Sequence, residues 1–160
     1  MTNGSSCMLR KGGVQRMEIR RIQKDEFQNA AILLRGIGKV EEEGFHQRFI
    51  DIVENTDYLF IGAIHEEQII GYALAQDYDI HLRLGKKICR LHDLYVLPEY
   101  RRTGIARKLM DATAEWCESV GASWLQWNAS KQSIEFYEKI GSERLTYDED
   151  KPEFELEFKV

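Results

Sequence analysis

The sequence predicts a single α/β domain with a mixed, mostly antiparallel sheet of six to seven strands and about four helices. Three observations lead there. The chain has 160 residues, which suits one domain with one sizeable core. It is 43% hydrophobic and 31% charged, and it holds no apolar run near the ~18 residues of a membrane span. Its element signals follow the order β-α-α-β-β-β-α-β-α-β-β, with no internal repeat and no linker after Met17.

Residues 1–16, "MTNGSSCMLRKGGVQR", have no periodicity and are rich in glycine, serine and basic residues, so they are expected to form a disordered leader. Lys11, Gly12 and Gly13 can be encoded as a purine-rich ribosome-binding sequence just ahead of Met17. One expectation is therefore a natural bacterial start at Met17, with a domain over 17–160. A vector-derived or genuine leader is the other.

Met17, Ile19 and Ile22 suggest a short strand. Asp25 can cap a helix carrying Phe27, Ala30, Ala31 and Leu34 on one face. A second helical pattern covers 41–53, with Phe45, Phe49, Ile50 and Val53 together. "YLFIGAI" (58–64) and "IIGYALAQDY" (69–78) form a hairpin across "HEEQ", and Gly71 marks a bulge or a close backbone approach. "ICRLHDLYV" (88–96) is a third antiparallel strand, stopping ahead of Pro98. Ile105, Leu109, Ala112, Trp116 and Val120 give the face of a helix that Gly121 ends. "ASWLQW" (122–127) is a strand. "SKQSIEFYEKIG" (130–141) is a short helix with Ser130 as its N-cap. In the tail "FELEFKV" (154–160), Phe154, Leu156 and Phe158 alternate with charges, as in a half-buried strand.

The net charge is -5, which argues against general nucleic-acid binding. Residues 83–108 hold eight basic and two acidic side chains, a +6 window in a chain that is otherwise -11. Such an island suits a small polyanion, although solvated charge explains it too. Cys7, Cys89 and Cys117 form no CxxC pair, so neither a zinc site nor a disulfide framework is indicated and a reducing cytoplasm fits. His46, His65, His81 and His92 lack metal-ligand spacing. The N-terminus has no signal-peptide core.

The stretch "LYVLPEYRRTGIARKLM" (94–110) carries the chemistry. A strand ends at Pro98, and a helix opens at Gly104. The first N–H groups of a helix lack internal partners, and the helix dipole adds positive character there. Gly104 lets an anion approach the backbone, Ala106 keeps the wall low, and Arg101 and Arg102 add donors. The P-loop pattern GxxxxGK[ST] and the dinucleotide fingerprint GxGxxG are both absent. The plainer alternative is an ordinary strand-to-helix turn whose glycine merely avoids strain.

"RRTGIA" (101–106) fits the pyrophosphate-loop pattern [RQ]-x-x-G-x-[GA] of the GNAT family of N-acetyltransferases. With "SIEFYEKIGSE" further on and the element order, the chain resembles that family from Met17 to its C-terminus, most of all its diamine and small-amine branch. The resemblance implies a sheet splayed between the fourth and fifth strands and acetyl-CoA lying in the splay. Leu94, Tyr95 and Val96 would then meet the acetyl and pantetheine part through their backbone. Arg101, Arg102, Thr103, Gly104, Ile105 and Ala106, with Arg107, would hold the pyrophosphate. Tyr137 would protonate the departing thiolate, with a core tyrosine as the plainer alternative. A glutamate of the branch is replaced here by His92, beside Asp93, so either is the candidate base, with His92 on the face of Leu94 and Val96. Asn128 and Ser130 are candidates for a cofactor contact.

The resemblance also implies a primary-amine acceptor, and a homodimer is common in that family. Glu41, Glu42 and Glu43, with the acidic tail, would draw in a polyamine, an aminoglycoside or a lysine side chain; a solvated helix start and edge strand account for the same charges. A non-catalytic acetyl-CoA sensor on the same fold is the alternative function.

Overall fold

Alternation between strand and helix periodicity resolves into one sheet with helices on both faces. In the computed structural model, residues 6–10, 14–141 and 154–158 are described. The strands are β1 (Ser6–Arg10), β2 (Val14–Arg21), β3 (Tyr58–His65), β4 (Gln68–His81), β5 (Lys86–Val96) and β6 (Ala122–Gln126). The helices are α1 (Phe27–Ile37), α2 (Phe45–Glu54), α3 (Ile105–Ser119) and α4 (Ile134–Lys139). The strands lie in chain order, β1 to β6. Every pairing is antiparallel except β5 with β6, which is parallel. Strands β2 to β6 thus make a five-stranded mixed sheet, with β1 added at one edge. The chain divides into two compact units, Met1–Trp127 with the sheet and α1 to α3, and Asn128–Val160 with α4.

Adjacent strand residues point to opposite faces, and β4 shows which helices cover which face. Tyr72 is buried in a cluster with Ala30 and Leu33 of α1, Phe49 of α2 and Phe60 of β3. Next to it, a Cβ on Gly71 would come within 3.2 Å of Ile105 and 3.3 Å of Leu109 in α3. So α1 and α2 cover one face and α3 the other. Gly71 also follows a bulge: Ala63 pairs with Gly71, but Ile64 pairs with Ile69, leaving Ile70 as the extra residue. Both readings of this glycine hold.

Several boundaries differ from expectation. The expected disordered leader is, over Ser6–Arg10, a strand with Met8 opposite Arg16; five residues are too few for periodicity to reveal. A Lys24–Glu26 turn precedes α1, and Gln23 with Glu26 forms its capping box, so Asp25 is not the cap. Helix α2 starts at Phe45 rather than residue 41, because Gly44 at φ 70° sets its entry. Arg35 grips Glu42 through two 2.9 Å bonds, so this acidic run braces the α1–α2 connection. The buried stripe of α3 is Ile105, Leu109, Met110, Thr113 and Cys117, not the line through Ala112 and Trp116. Thr113 is fully buried because its hydroxyl donates to the Leu109 carbonyl at 2.8 Å.

In the second unit, α4 begins at Ile134 behind a turn, so Ser130 does not cap it; its hydroxyl lies 2.6 Å from that of Ser133. The expected tail strand is not formed over residues 154–158, where Phe154, Leu156 and Phe158 are exposed. Alternation supplies only the side-chain pattern, and a strand also needs a partner for its backbone. The last two tail residues and the strand expected between α4 and the tail lie outside the described residues.

Candidate functional site

The site grows from the way β5 leaves its parallel neighbour. Strand β6 pairs with β5 from Lys87 opposite Ala122 to Arg90 opposite Gln126, and there the ladder ends. Residues 91–96 of β5 stay paired to β4 only: Leu94 faces Ala73, Tyr95 faces Tyr72 and Val96 faces Gly71. On the β6 side, that length of β5 has no strand partner among the described residues. This is the expected splay, in the expected place, with Leu94, Tyr95 and Val96 along it.

At the end of β5 the chain makes a short turn, Pro98–Tyr100, and enters α3 through Gly104. The Arg101 N–H donates to the Pro98 carbonyl at 3.3 Å, and the first helical bond runs from the Lys108 N–H to the Gly104 carbonyl at 3.2 Å. Between them, the N–H groups of residues 102–107 have no backbone acceptor among the described residues. Arg102 at φ 62° and Gly104 at φ 84° are both left-handed, a conformation that helps turn successive N–H groups into an anion-binding concavity. Arg101, Arg102, Thr103, Gly104 and Arg107 are exposed, whereas Ile105 is buried against the sheet. The residues present therefore fit a pyrophosphate, with one shift of role. The Arg101 backbone N–H is taken by Pro98; its Nε donates to the Val96 carbonyl at 2.9 Å and its guanidinium lies 5.4 Å from the Tyr95 ring centre. It braces the strand end against the loop.

The +6 window is not one patch. Lys86 and Lys87 begin β5, roughly 33 Å from its end at ~3.3 Å per residue. Lys87 pairs with Asp77 at 2.6 Å and also donates to the Val120 carbonyl, while Lys86 lies over the Trp124 ring. At the loop itself the charges are Arg101, Arg102, Arg107 and Lys108, with Glu99 opposing them.

Upstream, β5 carries a bulge that sequence periodicity does not reveal. Leu74 pairs with Asp93 and Ala75 with Leu91, so His92 is the extra residue. Tyr72, Leu74 and Gln76 alternate along β4 and share the α1/α2 face. Asp93 accepts a 3.0 Å hydrogen bond from the Tyr72 hydroxyl, and His92 Nε2 sits 2.8 Å from Gln76 Oε1. His92 and Asp93, although adjacent, thus share that face. This corrects the expectation that His92 lies with Leu94 and Val96. The His92 ring lies 6.3 Å from that of Tyr58 and 6.1 Å from that of Tyr78, while remaining exposed. Burial lowers its pKa below the ordinary imidazole value; Arg90 pushes the same way and Asp93 opposes. Burial and Asp93 push the Tyr72 phenol up, so it stays a donor. Tyr58, Tyr72, Gln76 and Tyr78 carried no sequence signal, because their place depends on cross-strand register.

Of the remaining candidates, Tyr137, Asn128 and Ser130 belong to the second unit. Tyr137 is half-buried on α4, stacks edge-on with Phe136 at 5.2 Å, and burial raises its pKa, keeping the phenol protonated. Asn128 and Ser130 are exposed. The thiols of Cys89 and Cys117 are buried between β5 and α3, and burial pushes Cys117 up to about 12 and Cys89 in the same direction. Neither suits nucleophilic work. A hollow of about 760 Å³ between β2 and the β3–β4 turn, lined by Glu18, Arg20, Glu26 and Glu67 among others, includes none of the expected site residues.

Known proteins bear on this geometry. The chain is 30% identical over 121 residues to thialysine N-epsilon-acetyltransferase of Mus musculus, an alignment covering 72% of this chain and 66% of the mouse protein. The same-named protein of Bos taurus is 32% identical over 83 residues, covering 49% of this chain and 46% of its own length. The chain thus spans about two thirds or less of these relatives. Among solved structures, glucosamine-6-phosphate N-acetyltransferase from Arabidopsis thaliana superposes with a TM-score of 0.72 at 22% identity, over 85% of this chain and 97% of that one. An aminoglycoside N-acetyltransferase in complex with CoA gives 0.72 at 18% identity, over 86% and 97%. At such identity these two likenesses concern the fold, and the fold agrees: a mixed sheet that splays beside a glycine-opened helix. The profile of the acetyltransferase (GNAT) family matches residues 16–141, a span that contains the splay, the loop and the bulge, and the chain belongs to that family.

Proposed function

We propose that the chain transfers an acetyl group from acetyl-CoA to a small primary amine by direct attack in a ternary complex, with residues 17–160 as the transferase domain. The observation that carries this reading is the splay of β5 beside the unpartnered N–H groups of residues 102–107. Together they provide an edge for a pantetheine chain and a seat for a pyrophosphate. The names of the relatives, which speak of thialysine, glucosamine-6-phosphate and aminoglycoside, support an amine acceptor.

Acetyl-CoA supplies an activated thioester. The rest falls to this chain's own groups. A backbone N–H near Leu94 to Val96, on the side of β5 that β4 does not occupy, holds the carbonyl oxygen as charge develops on it. His92, neutral at pH 7, takes the proton of the incoming ammonium. The amine nitrogen bonds to the carbonyl carbon, the carbon–sulfur bond breaks, and the leaving thiolate takes a proton, a role that the family resemblance assigns to the Tyr137 phenol. Because the Cys89 and Cys117 thiols are buried, direct attack is favoured over an acetyl-cysteine route through them.

A panel of diamines, aminoglycosides, amino sugars and lysine analogues, with free thiol detected after mixing with acetyl-CoA, tests the reading. Amine-dependent thiol release is expected. CoA binding with no release for any amine would replace the enzyme by a sensor.

A further inference from the structure

The bulge at His92 poses a question that the transfer reaction leaves open, namely which ring nitrogen is basic. A neutral imidazole carries one N–H and one lone pair, and the partner of one nitrogen decides the state of the other. Here Nε2 faces the Gln76 side-chain oxygen at 2.8 Å. An amide oxygen only accepts, so with the Gln76 amide turned this way Nε2 is the donor. Gln76 lies on β4 and is half-buried, and its register is fixed by pairing with Tyr58 on one side and Arg90 on the other. The Tyr58 and Tyr78 rings lie 6.3 and 6.1 Å from the His92 ring. The neighbouring Asp93 accepts from the Tyr72 hydroxyl at Oδ2, whereas the ring's hydrogen bond goes to Gln76.

We propose that Gln76 is a positioning residue that fixes His92 as the Nε2–H tautomer and leaves Nδ1 as the basic atom of the site. The inference rests on His92 being the base, but its first half stands apart from catalysis. The groups facing the ring are Tyr58 from β3, Gln76 and Tyr78 from β4, and Arg90 and Asp93 from its own strand. Only the last two carry charge near pH 7, and they act in opposite senses. A neutral amide partner adds no charge of its own, so the ring stays uncharged where an amine must lose a proton. A carboxylate in its place would stabilise the imidazolium.

Nitrogen-15 NMR of the histidine side chains, with His92 assigned by its loss in His92→Gln, reads the tautomer directly. The wild type should show Nε2–H. Gln76→Glu should raise the His92 titration midpoint by about one pH unit and carry the acid limb of kcat/KM with it. Gln76→Met, which keeps the volume, should populate both tautomers and lower kcat several-fold more than it raises KM for the amine. An Nδ1–H signal in the wild type, or an unmoved midpoint in Gln76→Glu, would overturn the proposal. A shifted midpoint with an unmoved acid limb would uphold the role of Gln76 in fixing the tautomer and remove His92 as the base.

Discussion

The loop over residues 98–107 and the bulge at His92–Asp93 lie on consecutive stretches of chain, but they offer opposite kinds of chemistry. The loop presents backbone N–H groups, and its shape rests on two left-handed residues, Arg102 and Gly104. The bulge presents side chains held by other side chains, His92 by Gln76 and Asp93 by Tyr72. A site made of backbone is sensitive to conformation and indifferent to most side-chain identities. A site made of side chains is the reverse. Binding of the acyl donor should therefore respond to changes of φ, and turnover of the acceptor to changes of functional group.

The largest effect should come from the bulge. His92→Ala should lower kcat by about 10²–10⁴-fold, the usual range for loss of a general base, while CoA affinity measured by calorimetry stays within twofold. An equal loss of CoA affinity would erase the distinction between the two places. The pH profile adds a direction. Because burial lowers the His92 pKa, the ring is neutral at pH 7, and if it is the proposed base activity should fall through an acid limb below the ordinary imidazole value of ~6.5. That limb should be missing from His92→Ala; a limb that persists belongs to another group.

The loop comes second. Gly104→Val places a β-branched residue at φ 84°, where even an unbranched one costs roughly 1–2 kcal/mol. Nothing lies within 4 Å of where its Cβ would sit, so the penalty is in the backbone and not in a clash. CoA affinity should drop about tenfold or more, given ~1.4 kcal/mol per decade. Gly104→Asn, which tolerates this region better, should lose less. Equal affinities for all three proteins would mean that the loop's shape does not hold the ligand.

This contrast also explains what the sequence made legible. The loop was readable because its cause is local: a proline ending a strand, a glycine opening a helix and a spacing between them. The splay followed from family resemblance to that same stretch. The bulge was not readable. Whether His92 joins the face of Leu94 or that of Asp93 depends on one skipped pairing between β4 and β5, and a strand's own residues do not encode the register of its neighbour. Tyr58 and Gln76 were invisible for the same reason. The buried stripe of α3 differs by about one position from the expected line, passing through Met110, Thr113 and Cys117; Thr113 reads as polar, although its hydroxyl is satisfied within its own helix. The tail differs for another reason: its alternation supplies a strand's side-chain pattern, but residues 154–158 have no strand partner among the described residues.

The smallest effects ask whether the basic window acts as a whole. Arg101→Ala removes the bond to the Val96 carbonyl, worth about 1 kcal/mol. It should weaken CoA roughly fivefold by loosening the strand end rather than by removing a donor to the ligand, so Arg101→Lys should restore little, because an ammonium lacks the planar fork that lies against Tyr95. Lys86 belongs to the same +6 window in sequence but starts β5 at the opposite end, stacked over Trp124. At roughly 33 Å, it lies several times the ~8 Å screening length of physiological salt from the loop. Lys86→Gln should therefore change CoA affinity less than twofold at 0.15 M salt. A loss matching that of Arg101→Ala would mean that the window works as a single field and that the N–H groups of the loop are the lesser part of the site.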